Sequence, residues 1–134
     1  MNLEMETERN YHGSCHCGKI QFEITADIDH VRVCDCSICR RRGALIFRIP
    51  RNKLSLLTDW EALSIYRWGS MTAKDYFCPT CGILVFREPS KIPEQGENNN
   101  KEDFNGWAVN VRCLDEIELS AVPQKKVFGS RLEF

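Results

Sequence analysis

Seven of the eight cysteines in this 134-residue chain stand in three close-set groups: Cys15-His16-Cys17, Cys34-Asp35-Cys36-Ser37-Ile38-Cys39 and Cys78-Pro79-Thr80-Cys81. Sulfurs two or three residues apart can share one ion at about 2.3 Å each, so a metal can pin the chain at these points. Two pairs supply four thiolates, enough to close a tetrahedral zinc site. The triplet supplies three and leaves one position for water or a substrate. A closed site holds a fold together, whereas an open one can do chemistry.

An even cysteine count also fits a disulfide framework. Residues 1–10 are polar and acidic with no apolar h-region, which does not read as an export signal. Thiols in a reducing compartment stay reduced and bind metal, so the expectation is a cytoplasmic zinc protein. No run approaches the roughly eighteen apolar residues that cross a bilayer, so no membrane span is expected. Net charge is −1, which gives no global basic field for nucleic acid or an anionic surface.

The knuckle Cys78-Pro79-Thr80-Cys81-Gly82 is the most specific local signal. Proline presets a tight turn, the trailing glycine permits positive φ, and turn amides aimed at the sulfurs offset thiolate charge. A knuckle provides two ligands only. Cys15-His16-Cys17-Gly18 ends the same way and is its natural partner, which makes Cys15, Cys17, Cys78 and Cys81 the structural set. Cys34, Cys36 and Cys39 then form a local tripod, with a net charge near −1 once zinc is bound. Arg40, Arg41 and Arg42 follow at once, with Arg48 on the next strand. They are either a solvated charge cluster or the groups that stabilise thiolate charge and attract an acidic substrate. Cys113 is read as a buried small hydrophobe; the other reading is a fourth ligand that would close the tripod. His16, between two ligands, can bind metal or point away, and His12 and His30 carry no pattern.

Elsewhere the period is that of strands. Lys19-Ile20-Gln21-Phe22-Glu23-Ile24 alternates polar and apolar, as do the stretches around 31–33, 107–111 and 117–119. Residues 44–49, 54–57, 63–68, 74–77 and 83–86 read as further short strands. One helical turn is predicted at 37–42, with Ser37 as its cap and Gly43 as its stop. The fold class expected is all-β: a single zinc-stabilised domain of short, bent antiparallel sheets. Residues 1–10 are expected as a flexible tail, 11–122 as the zinc-binding domain and 123–134 as a C-terminal extension. Segment 89–103 is expected as a polar mobile loop, read either as a plain insertion or as a lid.

The order Gly13-Ser14-Cys15-His16-Cys17-Gly18, Cys34-Asp35-Cys36-Ser37-Ile38-Cys39, Phe77-Cys78-Pro79-Thr80-Cys81-Gly82 and Arg112-Cys113-Leu114-Asp115 resembles the glutathione-dependent formaldehyde-activating enzyme family, which includes the centromere protein V type. The resemblance implies a mostly β fold of coiled sheets, similar to zinc-bearing methionine sulfoxide reductases. It implies two zinc ions, a structural one on Cys15, Cys17, Cys78 and Cys81 and a catalytic one on Cys34, Cys36 and Cys39. It further implies a carbon–sulfur lyase that handles S-(hydroxymethyl)glutathione, formed from glutathione and formaldehyde, with zinc lowering the thiol pKa. The middle and end of the chain look closer to the centromere-protein-V-like branch, which loosens the identity of the substrate. The alternative is a non-catalytic zinc module that binds a protein or nucleic acid through Arg40, Arg41 and Arg42.

Overall fold

The computed structural model describes residues 8–68, 71–89 and 106–128. Ten short strands and one short helix make up about half of it. Strands β1 (Arg9–Ser14), β2 (Gln21–Ala26) and β5 (Leu54–Leu56) form a three-stranded antiparallel sheet in the order β1-β2-β5. The larger sheet contains β3 (Val31–Cys34), β4 (Ile46–Pro50), β6 (Ser64–Tyr66), β7 (Lys74–Phe77), β8 (Leu84–Glu88), β9 (Gly106–Asn110) and β10 (Gln124–Val127). Its order is β10-β3-β4-β9-β8-β7-β6. Every pair is antiparallel except β10 with β3, which run parallel. The all-β expectation holds, with one short helix, α1 (Ser37–Arg42), inserted after β3.

The core lies between the two sheets. Alternation along β2 places Phe22 and Ile24 inside, where both are essentially inaccessible to solvent. Central strand β9 is buried at all five positions, as expected of a strand covered on both faces. The Phe22 ring meets the Phe86 ring edge-on, with centroids 5.4 Å apart and planes at 84°, so one aromatic pair bridges the sheets. Around Phe86 the rings of Trp60, Tyr76 and Trp107 continue the cluster, with Trp60 stacked on Trp107.

Close packing also explains Gly13. A Cβ there would lie 2.5 Å from the Cζ atom of Phe22 and 2.9 Å from two further carbons of its buried ring. Gly13→Ala is therefore expected to destabilise the domain by about 1–3 kcal/mol through overpacking. A thermal melt reads this as a fall of several degrees, and an unchanged midpoint contradicts it.

Two local expectations are corrected. The helix is capped by Cys36 rather than Ser37, with Cys36 at φ −69° and ψ 168° and no side-chain cap bond. Segment 117–119 is not a strand. Ile117 and Leu119 pack singly against the core, and a 3-10 turn covers Leu119–Ala121. Strand pairing begins at Arg9 in β1 and ends at Val127 in β10. Most of the polar segment 89–103 lies outside the described residues.

Candidate metal centres

Two cysteine groups converge in space. The sulfurs of Cys15, Cys17, Cys78 and Cys81 all lie within 4.8 Å of one another, and so do those of Cys34, Cys36 and Cys39. In the first group the Cys15–Cys17 and Cys17–Cys78 sulfur separations are both 3.7 Å. A tetrahedron of zinc–sulfur bonds of about 2.3 Å has edges of about 3.8 Å, so the four thiols fit a zinc ion.

Two similar knuckles build this cage. One follows β1: the Cys15 amide bonds the Ile20 carbonyl at 3.1 Å, and Gly18 turns with φ 85°. The other follows β7: the Cys78 amide bonds the Ile83 carbonyl at 3.0 Å, and Gly82 turns with φ 82°. Positive φ at both glycines swings backbone amides toward sulfur. Ile20 N donates to Cys15 Sγ at 3.3 Å, while Thr80 N and Cys81 N donate to Cys78 Sγ at 3.4 and 3.5 Å. Burial pushes the Cys81 thiol up, but amide and thiol donors outweigh it and hold it down at about 6, in the range of a ready thiolate ligand. One knuckle leaves the small sheet and the other the large one, so a shared ion would staple the two sheets together.

The second group sits where β3 meets α1. Cys34 ends the strand, Cys36 caps the helix and Cys39 lies inside it. Strand β10 braces this corner: Val127 pairs with Cys34, and the Val127 carbonyl accepts the Asp35 amide at 3.1 Å. Helix α1 closes through Arg40 N to the Cys36 carbonyl and Gly43 N to the Cys39 carbonyl, with Gly43 at φ 69°. Burial pushes the Cys36 thiol up, but the amides of Cys39 and Ile38 and the neighbouring thiols bring it below its ordinary value. Cys39 is held above its ordinary value by burial and by its two sulfur neighbours. Three crowded thiols of this kind suit a soft divalent cation, which removes the protons they share. Among the described residues no fourth His, Cys, Asp or Glu joins them.

Cys113 is far from closing the tripod. It is buried, its thiol contacts the Leu84 carbonyl at 3.5 Å, and burial with nearby Cys15 and Cys81 pushes it up to about 12. It therefore backs the four-cysteine cage as a small core residue. His16 is exposed and outside both groups. His12 bridges Asp115 at 2.6 Å and Gln21 at 3.0 Å, which raises its pKa and ties segment 113–115 to β1.

Beside the tripod, Ser37, Ile38, Arg41 and Arg42 of α1 face Tyr66 and Trp68 across a cavity of about 630 Å³. Arg40 is exposed and does not line it. Arg41 is exposed and turns back to bond the Ser37 carbonyl at 2.8 Å. Arg42 reaches inward to Asp75 on β7, Nη2 to Oδ2 at 3.0 Å. Arg48 points outward from β4.

Comparison with known proteins now has a geometry to rest on. The model of the glutathione-dependent formaldehyde-activating enzyme family matches residues 10–130. A crystal structure of a Rhodobacter sphaeroides protein is 32% identical and superposes with a TM-score of 0.67, covering 85% of this chain and 99% of the other. The chain belongs to the glutathione-dependent formaldehyde-activating enzyme family. The family match spans both cysteine groups and the bracing strand β10, so all the ligand candidates fall inside it.

Sequence reasoning about this family member missed Asp75, Arg87, Tyr66 and Trp68. Asp75 did leave a trace, because aspartate is depleted in strands and this one stands three residues before Cys78. Tyr66 and Trp68 left none, since their place beside α1 depends on the order of strands in the sheet. Among the described residues no helix is long and apolar enough to cross a membrane.

Proposed function

We propose that this protein is a zinc-dependent carbon–sulfur lyase-type enzyme acting on a glutathione adduct, as in the formation and breakdown of S-(hydroxymethyl)glutathione. The observation that carries the reading is a three-thiol tripod, with Ser37 and Ile38 from between its ligands lining a cavity, in a member of this family. Cys34, Cys36 and Cys39 would hold the catalytic zinc, and Cys15, Cys17, Cys78 and Cys81 the structural one. Zinc bound at the tripod supplies a Lewis acid that favours thiolate over thiol at neutral pH.

The chain's own residues do the rest. Ile38, Tyr66 and Trp68 give the cavity an apolar surface against which an uncharged part of the substrate can pack. Arg41 and Arg42 carry positive charge beside it and favour an anionic ligand and a developing alkoxide. In the forward direction the thiol gives up its proton, a sulfur–carbon bond forms as the carbonyl π bond breaks, and the resulting alkoxide takes up that one proton to become a hydroxyl; the reverse reaction returns thiol and aldehyde.

The test combines metal analysis with exchange NMR of labelled formaldehyde and glutathione. Two zinc ions per chain are expected, together with exchange faster than the uncatalysed addition at the same pH. Exchange at the background rate with both sites loaded contradicts the proposal.

A further inference from the structure

Asp75 is fully buried, yet it is not simply neutralised by one partner. Its Oδ2 accepts from Arg42 Nη2 at 3.0 Å and its Oδ1 from Arg87 Nε at 2.7 Å. A buried carboxylate needs a cation, and one guanidinium would balance the charge. Two leave the cluster with one excess positive charge. Both guanidinium side chains are largely covered, 19% exposed for Arg42 and 17% for Arg87, so water screens that charge poorly. Arg42 Nη1 is also buried and has no hydrogen-bond partner among the described residues. Buried donors in folded proteins are nearly always paired, so charge and hydrogen bonding both point to a missing anionic partner at this place.

Its location says what that anion belongs to. Arg42 lies one turn after Cys39 on α1 and lines the cavity beside the tripod. A guanidinium is a planar fork, and once Asp75 holds one edge the remaining edge is aimed rather than free to rotate. Arg41, exposed and folded back on its own helix, has no such anchor. Tyr66 and Trp68 offer the opposite, largely apolar wall for an uncharged stem.

We propose that Asp75 is a positioning residue, fixed by Arg87, that makes Arg42 the receptor for a substrate carboxylate set apart from the reacting sulfur. The substrate class is then a thiol bearing a free carboxylate on a stem long enough to reach from the tripod to Arg42. This rests on the thiol-adduct reading above and adds to it the feature that selects the thiol.

The test measures binding to the zinc-loaded protein of S-methylglutathione and of its diethyl ester, whose blocked sulfurs keep thiolate–metal ligation out of the comparison. Wild type is expected to bind the free acid at least tenfold more tightly than the ester. Arg42→Lys keeps the charge but loses the fork, and Asp75→Asn keeps the shape but loses the anchor. Both are expected to bring the ratio close to one while ester affinity stays within about twofold. A wild-type ratio near one, an undiminished ratio in Arg42→Lys, or failure of wild type to bind the free acid overturns the proposal. If Asp75→Asn does not fold, Arg42→Lys decides the carboxylate site alone. Exchange NMR judges the parent reading separately. Turnover without selectivity loses only the carboxylate site, and selectivity without turnover loses only the lyase activity.

Discussion

Cys78→Ser is expected to leave this domain unfolded at 25 °C. The thiol is inaccessible to solvent, receives two backbone amides and stands 3.7 Å from the Cys17 sulfur. Removing one of four ligands forfeits most of a zinc-binding free energy that amounts to about 10–16 kcal/mol in small structural sites. The whole stability of an ordinary domain is about 5–15 kcal/mol, so the loss is comparable to all of it. The position of the cage sharpens the effect, because its two knuckles come from different sheets. Losing a shared ion would therefore also remove one tie between the sheets, leaving the core around Phe22 and Phe86 to hold them alone. Circular dichroism is expected to show no cooperative thermal transition, with zinc released to a colorimetric chelator. A sharp transition at the wild-type midpoint would sink the assignment of this group as structural.

The matching change at the other site should behave differently. Cys36→Ala is expected to reduce formaldehyde–glutathione exchange to its uncatalysed rate and to lower the zinc content from two to one. The domain is expected to stay folded. Helix α1 buries no residue completely, and its backbone is closed by bonds that do not involve the Cys36 sulfur. The core between the sheets lies elsewhere, around Phe22 and Phe86. A cost of about 1–2 kcal/mol, equivalent to a few degrees in melting temperature, is the expected structural penalty. Unfolding on the scale of Cys78→Ser would mean that the tripod is structural too, and full activity would mean that it is not the reaction centre.

The two converging cysteine groups were legible because metal coordination imposes short, rigid spacings that survive in one dimension. The strand at Lys74–Phe77 and the helical turn at Ser37–Arg42 were legible for similar reasons, since a knuckle and a glycine stop delimit them. Strand β1 was hidden because the residue facing the core at one of its inward positions is Gly13, which carries no apolar side chain to mark the alternation. Strand β10 was hidden because Gln124, Lys125 and Lys126 are exposed at a sheet edge and pair through backbone alone. The arginine cluster was legible as charge but not as three different environments. Only the fold distinguishes Arg42, anchored on Asp75, from Arg40 and Arg41 in solvent. Asp75 itself acquires its partners through the pairing of β7 with β8, which brings Arg87 alongside in register.

The bracing of the tripod by the last strand sets an order of events on the ribosome. Domains fold from the amino end as the chain emerges at about 5–20 residues per second. All four cage ligands are available once Cys81 has been made, whereas Cys34 and Asp35 wait for Val127 to lie against them. On the proposed assignment, a nascent chain would complete the four-cysteine cage several seconds before β10 supports the three-cysteine corner.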